Sequence, residues 1–147
     1  MNKTFGDPSR ARLGAGQAGS ETSKVRPITP ANALPGRYSL RVMPEVFATG
    51  FLVGFLEWAC VKAVNPHLDW PAEQTVGTRI NVSHSAATPP GMEVVANVEL
   101  IAVNGRSLVF AVRAHDALDV ISEGQHERYV IVKERFDARV LAKRGGG

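Results

Sequence analysis

The segment VFATGFLVGFLEWACVKAV, residues 46–64, constrains this chain more than any other. Wound as a helix it is apolar around its whole circumference, so it needs apolar cover on most sides. Thr49 and Glu57 interrupt the run. A carboxylate in such surroundings is costly to bury unless something pairs with it. The length would suit a membrane span. Glu57, Lys62, Gly50, Gly54 and the lack of a charged flank argue instead for a helix packed inside a folded body.

The neighbouring sequence says what packs on that helix. GRYSLRVM (36–43) alternates as a short strand, and Pro44 with Glu45 is expected to open the helix. Pro66 ends it near NPHLDWP. Four strand-like runs follow, at 75–85, 92–103, 107–117 and 119–136. Asn104-Gly105-Arg106 is a hairpin signal between the second and third. The order predicts an α+β fold in which an antiparallel sheet of about five strands wraps one long central helix, the hot-dog architecture. An open sheet with the helix on one face would call for a more one-sided helix.

Charge separates tails from body. Residues 1–30 hold five basic and two acidic residues, and residues 133–147 hold the same. Residues 31–132 hold seven basic and ten acidic, a net −3. The body therefore lacks the basic footprint of a nucleic-acid binder. Three segments are expected: a disordered tail over 1–33, a folded domain over 34–136 and a flexible tail over 137–147. Removal of residues 1–30 is then expected to leave the melting temperature nearly unchanged. Cys60 is the single cysteine, read as core; it fits a reducing, cytoplasmic setting with no membrane anchor.

His84 shares strand parity with Val76, Thr78, Ile80 and Val82, which turns it toward the helix. A hydroxyl, an imidazole and a carboxylate converging there would suit acyl transfer. One helix sets Thr49 and Glu57 about 12 Å apart along its axis and ~80° around it. One histidine therefore reaches both only if Thr49 lies at an irregular helix start, or if the two come from different chains of a dimer. NPHLD (65–69) looks like a hydratase motif but trails the helix, with no Asp before His67. His67, His115 and His126 lack metal-ligand spacing, so no metal site is expected.

Four stretches carry a resemblance: VFATGFLVGFLEWA, TVGTRINVSHSAATPPGMEV, VNGRSLVFAVRAHD and ISEGQHERYVI. They resemble the fluoroacetyl-CoA thioesterase-like branch of the hot-dog superfamily over about residues 40–132. The resemblance implies hydrolysis of an acyl-CoA thioester by Thr49, Glu57 and His84. It implies that Gly77 lines the acyl pocket and that Arg128 shapes the substrate site. It implies a homodimer, or a pair of dimers, with no metal or redox cofactor and coenzyme A entering as part of the substrate. Met43 stands where the fluoroacetate-specific member has an aromatic lid, so the acyl group is left open. The competing expectation is a non-catalytic hot-dog protein that binds acyl-CoA or a small apolar ligand.

Overall fold

The computed structural model describes residues 14–25 and 44–146. In chain order the elements are β1 (Ala18–Lys24), α1 (Thr49–Val64), a 3-10 turn at Asn65–His67, β2 (Glu73–Val82), β3 (Glu93–Asn104), β4 (Ser107–His115), β5 (Val120–Val132) and α2 (Lys133–Arg144). The strands form one antiparallel sheet in the order β1-β3-β4-β5-β2. It curls around α1. Leu52, Leu56, Cys60 and Val64 of the helix are fully buried against Val94, Ala96 and Leu100 of β3, Leu108, Phe110 and Ala114 of β4, and Ile121 and Val130 of β5. Side chains of this size each stabilise the fold by roughly 1.5–3 kcal/mol when removed from water. The opposite face of α1, carrying Gly50, Gly54 and Trp58, stays exposed.

The helix starts later than Pro44-Glu45 predicts. Phe47 N–H donates to the Thr88 carbonyl, and the Ala48 carbonyl accepts from Phe51 and Leu52. Ala48 is extended, so Thr49 is the first helical residue. The tie to residue 88 fixes Phe47 just ahead of the first helical turn. Pro66 closes α1 as expected, inside the 3-10 turn. Gly105 turns the β3–β4 hairpin at φ +58°, a conformation that favours glycine.

Three expectations need correction. Residues 18–24 lie in the stretch read as a disordered tail, yet they form edge strand β1, paired with β3 from Ala18↔Glu99 to Lys24↔Glu93. A strand added to a free edge gains main-chain hydrogen bonds whatever its side chains are. Its fit is local: a Cβ on Gly19 would stand 3.1 Å from that of Ala63, and Glu21 pairs with Lys62 at 3.1 Å. At the other end, the last strand stops at Val132 rather than 136, and Lys133–Arg144 form α2, which runs into the tail expected over 137–147. KERFDARVLAKR is rich in strong helix formers and carries a Lys133–Asp137 pair one turn apart. The strand predicted at 36–43 lies outside the described residues.

Candidate active site

Thr49 and His84 meet where α1 begins and β2 runs out. Thr49 Oγ1 and His84 Nδ1 are 2.8 Å apart, a hydrogen bond in which either can donate. Three tethers bring them together. Ser83 and Ser85 donate their N–H groups to Glu123 and Ile121, extending the β2 direction past its last strand residue. Phe47 is bound to Thr88, as above. The Thr88 hydroxyl, fully buried, donates to Asp116 Oδ2 at 2.8 Å. Asp116 also accepts from the N–H groups of Leu118 and Asp119. Those two bonds, then the Thr88 bond, hold its carboxyl below the usual carboxylate range. The other imidazole nitrogen, His84 Nε2, is buried and makes no hydrogen bond among the described residues.

Glu57 belongs to a second cluster. Arg128 Nη1 donates to Glu57 Oε1 at 3.0 Å and to His126 Nε2 at 3.1 Å. Arg128 Nε donates to Thr75 Oγ1 at 2.8 Å, and Nη2 to the Thr75 carbonyl at 2.9 Å. Burial pushes the Arg128 guanidinium below its ordinary value, and Glu57 pulls the other way. His126, 1% exposed, is pushed toward the neutral form chiefly by burial, against the pull of its bond to the Arg79 carbonyl. The Glu57 side chain is 42% exposed. It opens on a cleft of about 370 Å³ lined by Val53, Gly77, Thr78, Ile80 and His126 among others.

Gly77 belongs to this cluster for a steric reason. A Cβ there would stand 2.4 Å from Glu57 Oε1, 3.3 Å from His126 Cε1 and 3.4 Å from Arg128 Nη1. The position also corrects the strand reading. Gly77 pairs with Arg128 but Arg79 pairs with Glu127, so Thr78 is one extra residue, a β-bulge. Thr75 and Gly77 before the bulge, with Ile80 and Val82 after it, lie opposite the inward residues of β5. Val76 lies opposite exposed Tyr129, on the outer face. Strict alternation would have put Gly77 and His84 on opposite faces; the bulge puts both on the helix side.

Of the residues singled out in the sequence, the protomer thus joins Thr49 to His84, and joins Glu57 to Arg128 and Gly77. It does not join the two groups: neither Thr49 nor His84 bonds Glu57. Met43 lies outside the described residues. Thr75 and His126 were missed. His126 and Arg128 are two apart on one strand, so they share a face. That parity was the available signal. Among the described residues no three of His, Cys, Asp or Glu gather as a metal site, and no helix is long and apolar enough to cross a membrane. Cys60 is buried, which raises its thiol to about 12, as a core residue should be.

Known proteins place the chain by family and fold. The sequence profile of FlK, the fluoroacetyl-CoA-specific thioesterases, matches residues 29–134. The chain belongs to this family. The fluoroacetyl-CoA thioesterase of Streptantibioticus cattleyicolor is 54% identical over 104 residues, 71% of this chain and 74% of that protein. A solved point mutant of FlK, in complex with acetyl-CoA, superposes with a TM-score of 0.78 at 41% identity, covering 89% of this chain and 98% of the other. A hot-dog-like protein of Thermanaerovibrio acidaminovorans shares the fold alone, with a TM-score of 0.75 at 22% identity over 90% of this chain and 93% of the other. The curled sheet around α1 is accordingly the hot-dog fold.

Proposed function

We propose that this protein hydrolyses a small acyl-CoA thioester to the free acid and coenzyme A. The observation that carries the reading is the 2.8 Å bond between Thr49 Oγ1 and His84 Nδ1. With Thr49 donating, Nδ1 holds a lone pair and can take a proton. The Thr49 hydroxyl, or a water it orients, then attacks the thioester carbon as His84 accepts that proton. Collapse of the tetrahedral intermediate breaks the carbon–sulfur bond, and His84 returns the proton to the departing thiolate. In the acyl-enzyme route, water repeats the attack and frees Thr49. A coenzyme A thioester is the substrate class because the relative above is a fluoroacetyl-CoA thioesterase and the solved FlK mutant holds acetyl-CoA.

The same reading makes the active protein a homodimer with a site shared between protomers. β2 is an edge strand, and Gly77 to Asn81 on it are exposed. Two such edges can pair antiparallel about a two-fold axis. An axis between Ile80 and Asn81 sets Gly77 opposite His84 of the partner subunit, on the same face. The Glu57–Arg128 cluster would then face the other protomer's Thr49–His84 pair, and Glu57 could orient that imidazole or activate water. The buried, unpartnered His84 Nε2 supports a missing acceptor of this kind. A single buried thiol fits a reducing compartment, and we place the enzyme in the cytoplasm. Arg128 and Gly77 are assigned to the acyl pocket, with no metal or redox cofactor required.

Thiol release from a panel of acetyl-, fluoroacetyl-, propionyl-, butyryl- and phenylacetyl-CoA tests the chemistry. Turnover that collapses in both Thr49→Ala and His84→Ala is expected. No turnover on any thioester, or turnover indifferent to both, would favour the ligand-binding alternative. Mixing Thr49→Ala with Glu57→Gln protomers tests the shared site. A heterodimer then holds one intact site, so activity returns; a site confined to one protomer gives none.

A further inference from the structure

His126 lies in the second cluster and has no role in the chemistry proposed above. Its two nitrogens have fixed partners. Nδ1 is 2.8 Å from the Arg79 carbonyl oxygen, which can only accept. Nδ1 therefore carries the hydrogen. Nε2 is 3.1 Å from Arg128 Nη1, which can only donate. Nε2 therefore presents a lone pair. The partners assign the tautomer, and an imidazole held this way is neutral.

Arg128 shows what that lone pair does. Its Nη1 has two hydrogens; one goes to Glu57 and the other to His126. Its Nε and Nη2 are both tied to Thr75. The guanidinium plane is thereby fixed from the β2 side by Thr75 and from its own strand by His126, with the last direction aimed at Glu57. Glu57 is part-exposed, its side chain 42% open to solvent. The bulge at Thr78 takes part too, because it shifts the Arg79 carbonyl into register with the imidazole.

We infer that His126 is a positioning residue: as a neutral Nδ1–H imidazole bound to the Arg79 carbonyl, it holds Arg128 so that Glu57 stays paired and aimed into the cleft. The inference rests on the thioesterase reading. The charged and titratable groups that act on the His126–Arg128 pair are Glu57 and Cys60 on α1, and Glu127 beside them on β5. Arg79 on β2 enters through its backbone carbonyl and pairs its side chain with Glu127 at 3.1 Å on the outer face. A second proton on His126 would set two cations side by side and remove the acceptor, so the arrangement belongs to neutral and alkaline pH.

The test compares wild type with His126→Leu and His126→Gln in the acyl-CoA assay. Leu keeps an apolar filling but leaves an Arg128 N–H without its acceptor. Gln can return an oxygen near the position of Nε2. The expected result is a fall of roughly tenfold to a hundredfold in kcat for Leu, the effect of one orphaned buried donor. Its KM should be little changed. Gln should recover most of the loss. Nitrogen NMR of wild type should find the hydrogen on Nδ1. An inactive wild type overturns the thioesterase reading itself. An active wild type overturns this inference if His126→Leu matches it in kcat. So do Leu and Gln losing activity equally in step with melting temperature, or a hydrogen found on Nε2.

Discussion

The two polar clusters around α1 are built in opposite ways. Thr49 and His84 share one hydrogen bond; Thr49 opens α1 and His84 lies two residues past the end of β2. Their alignment depends on tethers further out, at Phe47, Thr88 and Asp116. Glu57, Arg128, His126 and Thr75 are held mid-element by α1, β5 and β2, and Arg128 alone makes four donor bonds. Among the described residues of one protomer, the sparse pair leaves His84 Nε2 without a partner, while the dense cluster leaves almost nothing free. A group that must move protons gains from open hydrogen-bonding capacity, and one that must hold a charge in place gains from saturation. The comparison teaches that reactive and supporting groups can be separated by counting their committed bonds.

The comparison breaks most directly at His84. His84→Ala removes a base tied by a single bond, so kcat on the best acyl-CoA should fall by about 10²–10⁴. Thermal melting should barely move, because little packing and one exposed-end hydrogen bond are lost. A melting temperature that drops with activity would show that the sparse pair also supports the fold.

Gly77→Val tests the dense cluster. The new Cβ needs the space of Glu57 Oε1, 2.4 Å away. The blocking atom is the end of a flexible carboxylate, so the side chain can swing into the open cleft at the cost of its Arg128 bond. Activity should fall by roughly tenfold to a hundredfold while the sheet stays intact, since the bond lost to a charged partner is worth about 1.5–3 kcal/mol before solvent screening. Normal turnover in this variant would take Gly77 and Glu57 out of the site.

How the sequence led to these clusters depended on what each residue type signals. The apolar run with Thr49 and Glu57 inside it announced both the central helix and its polar exceptions. Parity then turned His84 inward. The bulge at Thr78 was not legible, because a one-residue insertion leaves no mark in residue types and reverses every face before it. Gly77 entered through family resemblance alone. His126 went unread because a histidine between Gln125 and Glu127 looks like part of a solvated strand, and its value lies in a backbone carbonyl across the ladder. β1 was missed for the same kind of reason: AGSETSK has a tail's composition, and what orders it is the free edge of β3.

That last point reverses an expectation and tests stability away from both clusters. Deleting residues 1–25 removes β1 and buried Val25, and bares the β3 edge. The melting temperature should drop by at least about 5 °C, the shift of roughly 1 kcal/mol in a domain of this size. Thiol release per folded protein should change less than in Gly77→Val, because no β1 residue bonds either cluster. An unchanged melting temperature would restore the tail reading.

The smallest effect should come from the tether behind the sparse pair. Thr88→Val keeps the shape of the side chain and removes the donor to Asp116. Asp116 keeps its two backbone partners, Leu118 and Asp119, so the loss should be about 1 kcal/mol. The sign of its pH dependence follows from the lowered Asp116 carboxyl. A carboxyl that is more acidic in the folded state adds stability above the ordinary carboxylate range, and that stability is lost as pH falls through the folded value. Removing one of its three donors lets the folded value rise toward the ordinary one. The gap between wild type and Thr88→Val should therefore be full at neutral pH and shrink on acidification below the carboxylate range. If the gap persists in acid, Thr88 acts through packing, and the link from Asp116 through Thr88 and Phe47 to the start of α1 is mechanical rather than electrostatic.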